Sequence, residues 1–132
     1  MSQHRADRIK GEREYKGILT VPCQVNNLYQ GYFLVDTGAA FTTISQRFAH
    51  EMKLDITQPI RQVEVASAHQ VAQTPVIRLD SLQVGDKIVN NLEVLVIALP
   101  VALRVDGLLG VNFLEKFRVT FEFEQATLVL RE

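Results

Sequence analysis

The chain has 132 residues, 47% hydrophobic and 22% charged, with 14 Lys and Arg against 15 Asp and Glu. That length fits one compact domain, the apolar share argues against disorder, and a net charge of −1 gives no electrostatic footprint for nucleic acid or an anionic membrane surface. The single cysteine, Cys23, excludes an internal disulfide and a cysteine-built zinc site, and no apolar run approaches the roughly 20 residues that span a bilayer.

Residues Met1 to Lys16 are crowded with charge and lack an apolar core, so they do not read as a signal peptide. The expected organisation is a flexible charged leader over residues 1–14 and one domain over 15–132. A soluble, cytoplasmic protein is expected, or a soluble domain of a longer anchored one. From Tyr15 the pattern is strand-like: Ile18, Leu19, Val21 and Val25 lead to Asn26-Asn27, a pair suited to a hairpin turn. Leu28 to Asp36 contains the unbroken apolar run Tyr32-Phe33-Leu34-Val35, which predicts a strand buried on both faces. Phe41 to Ile44 reads as a short strand. Ser45 then caps a helix over Gln46 to Leu54 with Phe48 and Met52 on one face, and Pro59 closes the segment.

Two longer strands follow, Ile60 to Ala66 and Val71 to Leu82, joined through Ser67-Ala68-His69-Gln70. Gly85-Asp86 marks a turn before a strand from Ile88 to Ala98, and Asn112 to Phe117 reads as a second short helix. At the carboxyl end Val119, Phe121 and Phe123 alternate with polar residues, and Leu128 to Leu130 follow a turn at Gln125-Ala126. Many short strands and one or two small helices predict an all-β, barrel-like domain. Val35-Asp36 and Val105-Asp106 each precede a loop, an apolar strand and a helix, a weak internal echo.

The chemistry points to Phe33-Leu34-Val35-Asp36-Thr37-Gly38-Ala39. A carboxylate placed directly after a buried apolar strand is held rigidly where the chain leaves the sheet. Gly38 lets backbone approach closely and Thr37 offers a hydroxyl. Asp, Thr and Gly are also ordinary turn formers, so the triplet by itself is a moderate signal.

The triplet has company. Leu34-Val35-Asp36-Thr37-Gly38-Ala39, followed far downstream by Leu108-Leu109-Gly110-Val111-Asn112, resembles the paired motifs of the retropepsin-like aspartic proteases. The resemblance runs from about Tyr15 to Leu130 and implies a closed β-barrel with a flap hairpin. It also implies aspartic endopeptidase action as a homodimer on an extended polypeptide, with no metal and no cofactor. Aspartic proteases use two neighbouring carboxylates that share a proton, and this chain has one Asp-Thr-Gly, so Asp36 would come from each of two copies. By the same resemblance Thr37 and Gly38 support the catalytic loop. Substrate contacts fall to Ala39, Ala40, Ala66, Ser67, Ala68, His69, Leu108 and Leu109, with Gly110 and Asn112 as structural motif residues.

An internal pairing of Asp36 with Asp106 is the rival arrangement, but Asp106 lacks a following Thr-Gly and reads as a surface or loop-bonding residue. Two departures from the family pattern stand out. Ala68-His69 occupies a flap tip that usually carries glycine, and Ala40, Phe41 and Val111 replace a charged network. A dimeric binding module that keeps the fold without cleaving is therefore the second reading, against which the intact Asp36-Thr37-Gly38 weighs. A hydroxyl at position 39 would donate to the carboxylates and favour their ionised form. Ala39 has none, and activity is expected at mildly acidic pH, about 4 to 6. His4, His50 and His69 have no metal-ligand spacing.

Overall fold

A computed structural model describes residues 6–14, 18–66 and 69–132. In chain order the strands are β1 (Ala6–Lys10), β2 (Glu12–Glu14), β3 (Ile18–Val25), β4 (Tyr29–Val35), β5 (Thr42–Ser45), β6 (Arg61–Ala66), β7 (Val71–Val84), β8 (Lys87–Ile97), β9 (Gly107–Leu109), β10 (Arg118–Glu122) and β11 (Thr127–Arg131). Two short helices interrupt them, α1 (Gln46–Glu51) and α2 (Val111–Leu114). The protein is thus mostly β, as the turn spacing predicts.

The larger sheet runs β2-β3-β4-β9-β5-β8-β7-β6, and pairing of Gln24 and Val25 on β3 with Gln83 and Leu82 on β7 curls it round into a barrel-like ring. Local chemistry sets its corners. Asn26 and Asn27 both adopt positive φ, which closes the β3–β4 hairpin, and the Asn26 side-chain oxygen accepts from the amides of Asp80 and Ser81 to pin that hairpin to β7. Ser45 caps α1 by accepting from the Phe48 amide at 3.0 Å. Phe33, Ile44, Leu109 and Phe113 are fully buried at the centre, and the Phe33 and Phe48 rings meet edge to face.

Several features depart from the sequence reading. Residues 6–14, expected within a solvated leader, supply β1 and β2. β1 pairs along its length with β11, with Ile9 buried, and Arg8 hydrogen-bonds the Glu122 carboxylate. Arg8 and Lys10 therefore line the exposed face of β1, while its other face carries half-buried Asp7 and buried Ile9. β4 is not buried on both faces: Phe33 is fully buried, while Tyr32 is 48% exposed and Leu34 half-buried. A strand reading Tyr-Phe-Leu-Val carries no signal that separates a covered face from an uncovered one. Phe123 leaves the strand for a tight helical turn, Phe123–Gln125, ended by Ala126 at φ 48°. The helices are also shorter than predicted, since α1 stops at Glu51 and α2 at Leu114.

Candidate active site

Asp36 stands at the carboxyl end of β4, where parallel pairing with β9 fixes its height. The register sets Phe33 against Gly107, Leu34 against Leu108 and Val35 against Leu109. The ladder continues one step further, because the Asp36 amide donates to the Leu109 carbonyl at 3.0 Å. β9 also pairs with β5, so the strand entering the loop and the strand leaving it share one central neighbour. Alternation along β4 puts Leu34 and Asp36 on one face, with half-buried Leu108 beside Leu34, while Val35 and fully buried Leu109 turn to the core.

The loop itself is tied down from behind. The Gly38 amide donates to Asp36 Oδ1 at 2.9 Å and the Ala39 amide to the Asp36 carbonyl at 3.2 Å. The Val111 amide donates to the Ala39 carbonyl and the Asn112 amide to the Ala40 carbonyl. Thr42, fully buried, accepts from the Gly110 amide with its hydroxyl, and its own amide donates to Asn112 Oδ1 at 2.7 Å. Asn112 Nδ2 then donates to the Glu93 carbonyl on β8 at 2.7 Å. Gly110 is required by contact: a Cβ there would lie 2.6 Å from the Phe41 carbonyl carbon and oxygen. Leu108-Leu109-Gly110 and Asn112 therefore meet the Asp36 loop, the placement that the family resemblance implies.

Asp106 is engaged elsewhere. Its carboxylate accepts from the Tyr32 amide at 2.9 Å and from the Arg47 guanidinium at 2.9 Å, while its own amide donates to the Tyr32 carbonyl. Asp106 thus faces Tyr32 and Asp36 faces Gly110, four residues apart along the same ladder, roughly 13 Å of strand. That separation rules out an internal carboxylate pair and makes Asp106 a loop-bonding residue. Sequence reasoning found neither the Arg47 half of this clamp nor the Thr42 hydroxyl. A threonine in a short strand and an arginine in a helix give no sign of partners 68 and 59 positions away.

β6 and β7 form the expected hairpin, paired from Arg61 opposite Val76 to Ala66 opposite Val71. Ser67 and Ala68, two of the residues assigned to its tip, lie outside the described residues. Ala66 and His69 are exposed, as are Val71, Ala72 and Gln73, whereas burial resumes at Thr74, so the hairpin projects beyond the body. Its base is held by Glu93, which meets Arg61 at 2.7 Å and Arg78 at 3.7 Å. Hydrogen bonding from Arg61 holds the Glu93 carboxyl below its ordinary range.

In front of the loop Thr37, Gly38 and Ala40 are exposed, and the Thr37 hydroxyl has no hydrogen-bond partner among the described residues. An open groove of about 360 Å³ runs beside them, lined by Asp36, Thr37, Ile18, Leu34, Phe121 and Phe123. A wider groove of about 430 Å³ lies between the start of α1 and the segment from Ala98 to Val105, with no residue of the Asp36 loop in its wall. Cys23 is 2% exposed and its apolar surroundings push the thiol up, so it is no nucleophile. Among the described residues no three His, Cys, Asp or Glu side chains converge as a metal site, and no helix is long and apolar enough to cross a membrane.

Residues 21–116 match the family model described as gag-polyprotein putative aspartyl protease, a span that takes in both the Asp36 loop and Asn112. The chain belongs to the retropepsin-like aspartic proteases. Its fold is similar to that of a retropepsin-like aspartic protease from Rickettsia conorii, with a TM-score of 0.72 and 26% identity, covering 99% of this chain and 96% of the other. No curated protein matches the sequence. In this retropepsin-like chain the family's two sequence marks, 72 positions apart from Asp36 to Leu108, are brought into backbone contact by β9.

Proposed function

We propose that the protein is an aspartic endopeptidase that acts as a homodimer on extended polypeptides. The observation that carries this reading is the asymmetry around Asp36. The loop is immobilised from behind by its own chain, open in front, and has no second carboxylate within reach from Asp106.

Two copies meeting about a twofold axis complete the site. The ionised Asp36 carboxylate takes a proton from a water held between the pair as its oxygen attacks the peptide carbonyl carbon. The protonated Asp36 of the other copy donates to the carbonyl oxygen. Collapse of the tetrahedral adduct breaks the C–N bond, and the amine leaves with a proton from the dyad. Gly38, whose amide already bonds Asp36 Oδ1, orients the carboxylate, and Thr37 braces the opposite loop with its unengaged hydroxyl. Ala39, Ala40, Leu108 and Leu109 shape the substrate pockets, with Leu109 acting from behind the wall. The β6–β7 hairpin, with Ala66, Ser67, Ala68 and His69 at its end, closes over the peptide and pairs with its backbone.

The test is cleavage of an unfolded protein between pH 3 and 8 by wild type and Asp36→Asn at matched concentration. Activity with a maximum near pH 4 to 6, lost in Asp36→Asn and falling steeply on dilution, is the expected result. A maximum near pH 2 would sink the role given to Ala39. An inactive wild type at concentrations where it is dimeric would replace the peptidase with a peptide-binding module.

A further inference from the structure

The face of β4 that carries Asp36 continues away from it. Tyr32, Leu34 and Asp36 share that face by alternation, and the register with β3 sets Thr20 beside Leu34 and Pro22 beside Tyr32. The groove at Asp36 is followed along this face by two more. One, of about 130 Å³, is lined by Glu12, Thr20, Tyr32 and Arg104, and the next, of about 310 Å³, by Lys10, Glu12, Thr20, Pro22 and Tyr32. From Asp36 to Tyr32 is roughly 13 Å of strand, the reach of about four residues of extended peptide.

Two donors along this track lack an acceptor. Arg104, which follows the tight turn Val101–Leu103, is exposed, and its guanidinium makes no hydrogen bond or ion pair among the described residues. The Tyr32 hydroxyl has no partner among them either. Asp106, the acid nearest to Arg104 in the chain, is already taken up by Arg47 and the Tyr32 amide. Glu12 lines the same groove as Arg104 yet forms no ion pair with it among the described residues, and Lys10 flanks Glu12 in the neighbouring groove.

We propose that Arg104, with the Tyr32 hydroxyl, selects substrates that carry an acidic side chain within about four residues of the bond cleaved. The inference rests on the peptidase reading above and gives it a substrate class. A guanidinium presents a planar fork of donors that matches a carboxylate, and the phenol hydroxyl beside it supplies one more. Lys10 and Arg104 set against Glu12 leave one positive charge in excess, so this end of the track favours an anion. A peptide side chain is favoured over a free anion because these grooves continue the face that bears Asp36 and Leu34.

The test is kcat/KM for matched peptides spanning one bond cut in an unfolded protein, with glutamate, glutamine or lysine placed in turn at each of about four positions on either side. The assay runs at about pH 6, where a glutamate with an ordinary pKa near ~4.3 is ionised. At one of these positions the wild type is expected to prefer glutamate to glutamine by about tenfold, and to prefer it more strongly to lysine. Arg104→Ala is expected to abolish the preference, Arg104→Glu to reverse it towards lysine, and Tyr32→Phe to reduce it about threefold. Lys53→Glu makes the same change of charge at an exposed residue that lines none of these grooves, and is expected to keep the preference. Each preference is a ratio within one variant, so the amount of folded protein cancels. Cleavage without a preference for glutamate, or with one that Arg104→Glu leaves unchanged, would overturn the inference and leave the peptidase standing. If no peptide is cut, fluorescence anisotropy of the same peptides on the intact chain decides. A preference for glutamate that Arg104→Glu reverses would uphold the groove and remove the enzyme, whereas binding without that preference, or no binding, would overturn both.

Discussion

The two sides of the Asp36 loop differ in what holds them. Behind it, the Ala39 and Ala40 carbonyls accept from the Val111 and Asn112 amides, the Thr42 hydroxyl accepts from the Gly110 amide, and the Asn112 side chain ties the Thr42 amide to the Glu93 carbonyl on β8. In front, Thr37 and Gly38 are exposed beside an apolar groove. One chain therefore ties the loop that carries Asp36 from behind and leaves its other side open to solvent. Rigidity placed on the scaffold side makes the loop's geometry a property of the single chain.

The largest effect on this contrast is expected from Gly110→Ala. The new methyl group would press on the Phe41 and Thr42 backbone, which cannot yield without moving the Asp36 loop, so a loss of about 3 kcal/mol in urea unfolding is expected together with loss of activity. Near-wild-type stability would mean that the rear contact is looser than its geometry. Asn112→Ala comes next. It leaves the buried Thr42 amide without an acceptor and frees the Glu93 carbonyl, for an expected cost of about 2 kcal/mol in the same measurement. If Asn112→Ala lowered activity without lowering stability, the residue would be holding the loop's shape more than the fold.

The smallest effect belongs to the base of the β6–β7 hairpin. Glu93 bridges two partly exposed arginines, so Glu93→Gln should change global stability by less than about 1 kcal/mol. Its signature lies in pH. Arg61 lowers the folded-state carboxyl below the ordinary value near ~4.3, so the anchoring is complete above that pH and fades as pH falls through the lower folded value. The protection of the Arg61–Ala66 amides against hydrogen exchange, relative to the intrinsic rate, is expected to fall in wild type as pH drops below the ordinary carboxyl range and to lose that pH step in Glu93→Gln. An unchanged step would assign the hairpin's resting position to its backbone ladder alone.

Strand content, the Asn26-Asn27 and Gly85-Asp86 turns and the Ser45 cap were legible because each rests on neighbours in the chain. Positive φ at Asn26 and Asn27 and the Phe48 amide on Ser45 are local events. The candidate site was legible for another reason: Asp36-Thr37-Gly38 and Leu108-Leu109-Gly110-Val111-Asn112 form two blocks whose resemblance to one family places them together. Illegible were the contacts that join distant singletons. Nothing in the sequence marks Thr42 as the acceptor for Gly110, Arg47 as the partner of Asp106, or Ala6–Lys10 as the mate of Thr127–Arg131. The uncovered face of β4 was missed because hydrophobicity records that a residue is able to be buried, not whether its own chain buries it.

By itself the sequence determined an all-β domain with a rigidly placed carboxylate, because turn chemistry, alternation and the two motif blocks act over short spans. Only the tertiary structure decided that Asp106 is bound away from Asp36, that Ala6–Lys10 is a strand, and that among the described residues no strand covers the outer edge of β10 and the groove beside Thr37 is open. Those outcomes depend on register and packing between elements far apart in the chain, where a shift of one residue along a ladder exchanges the buried face for the exposed one.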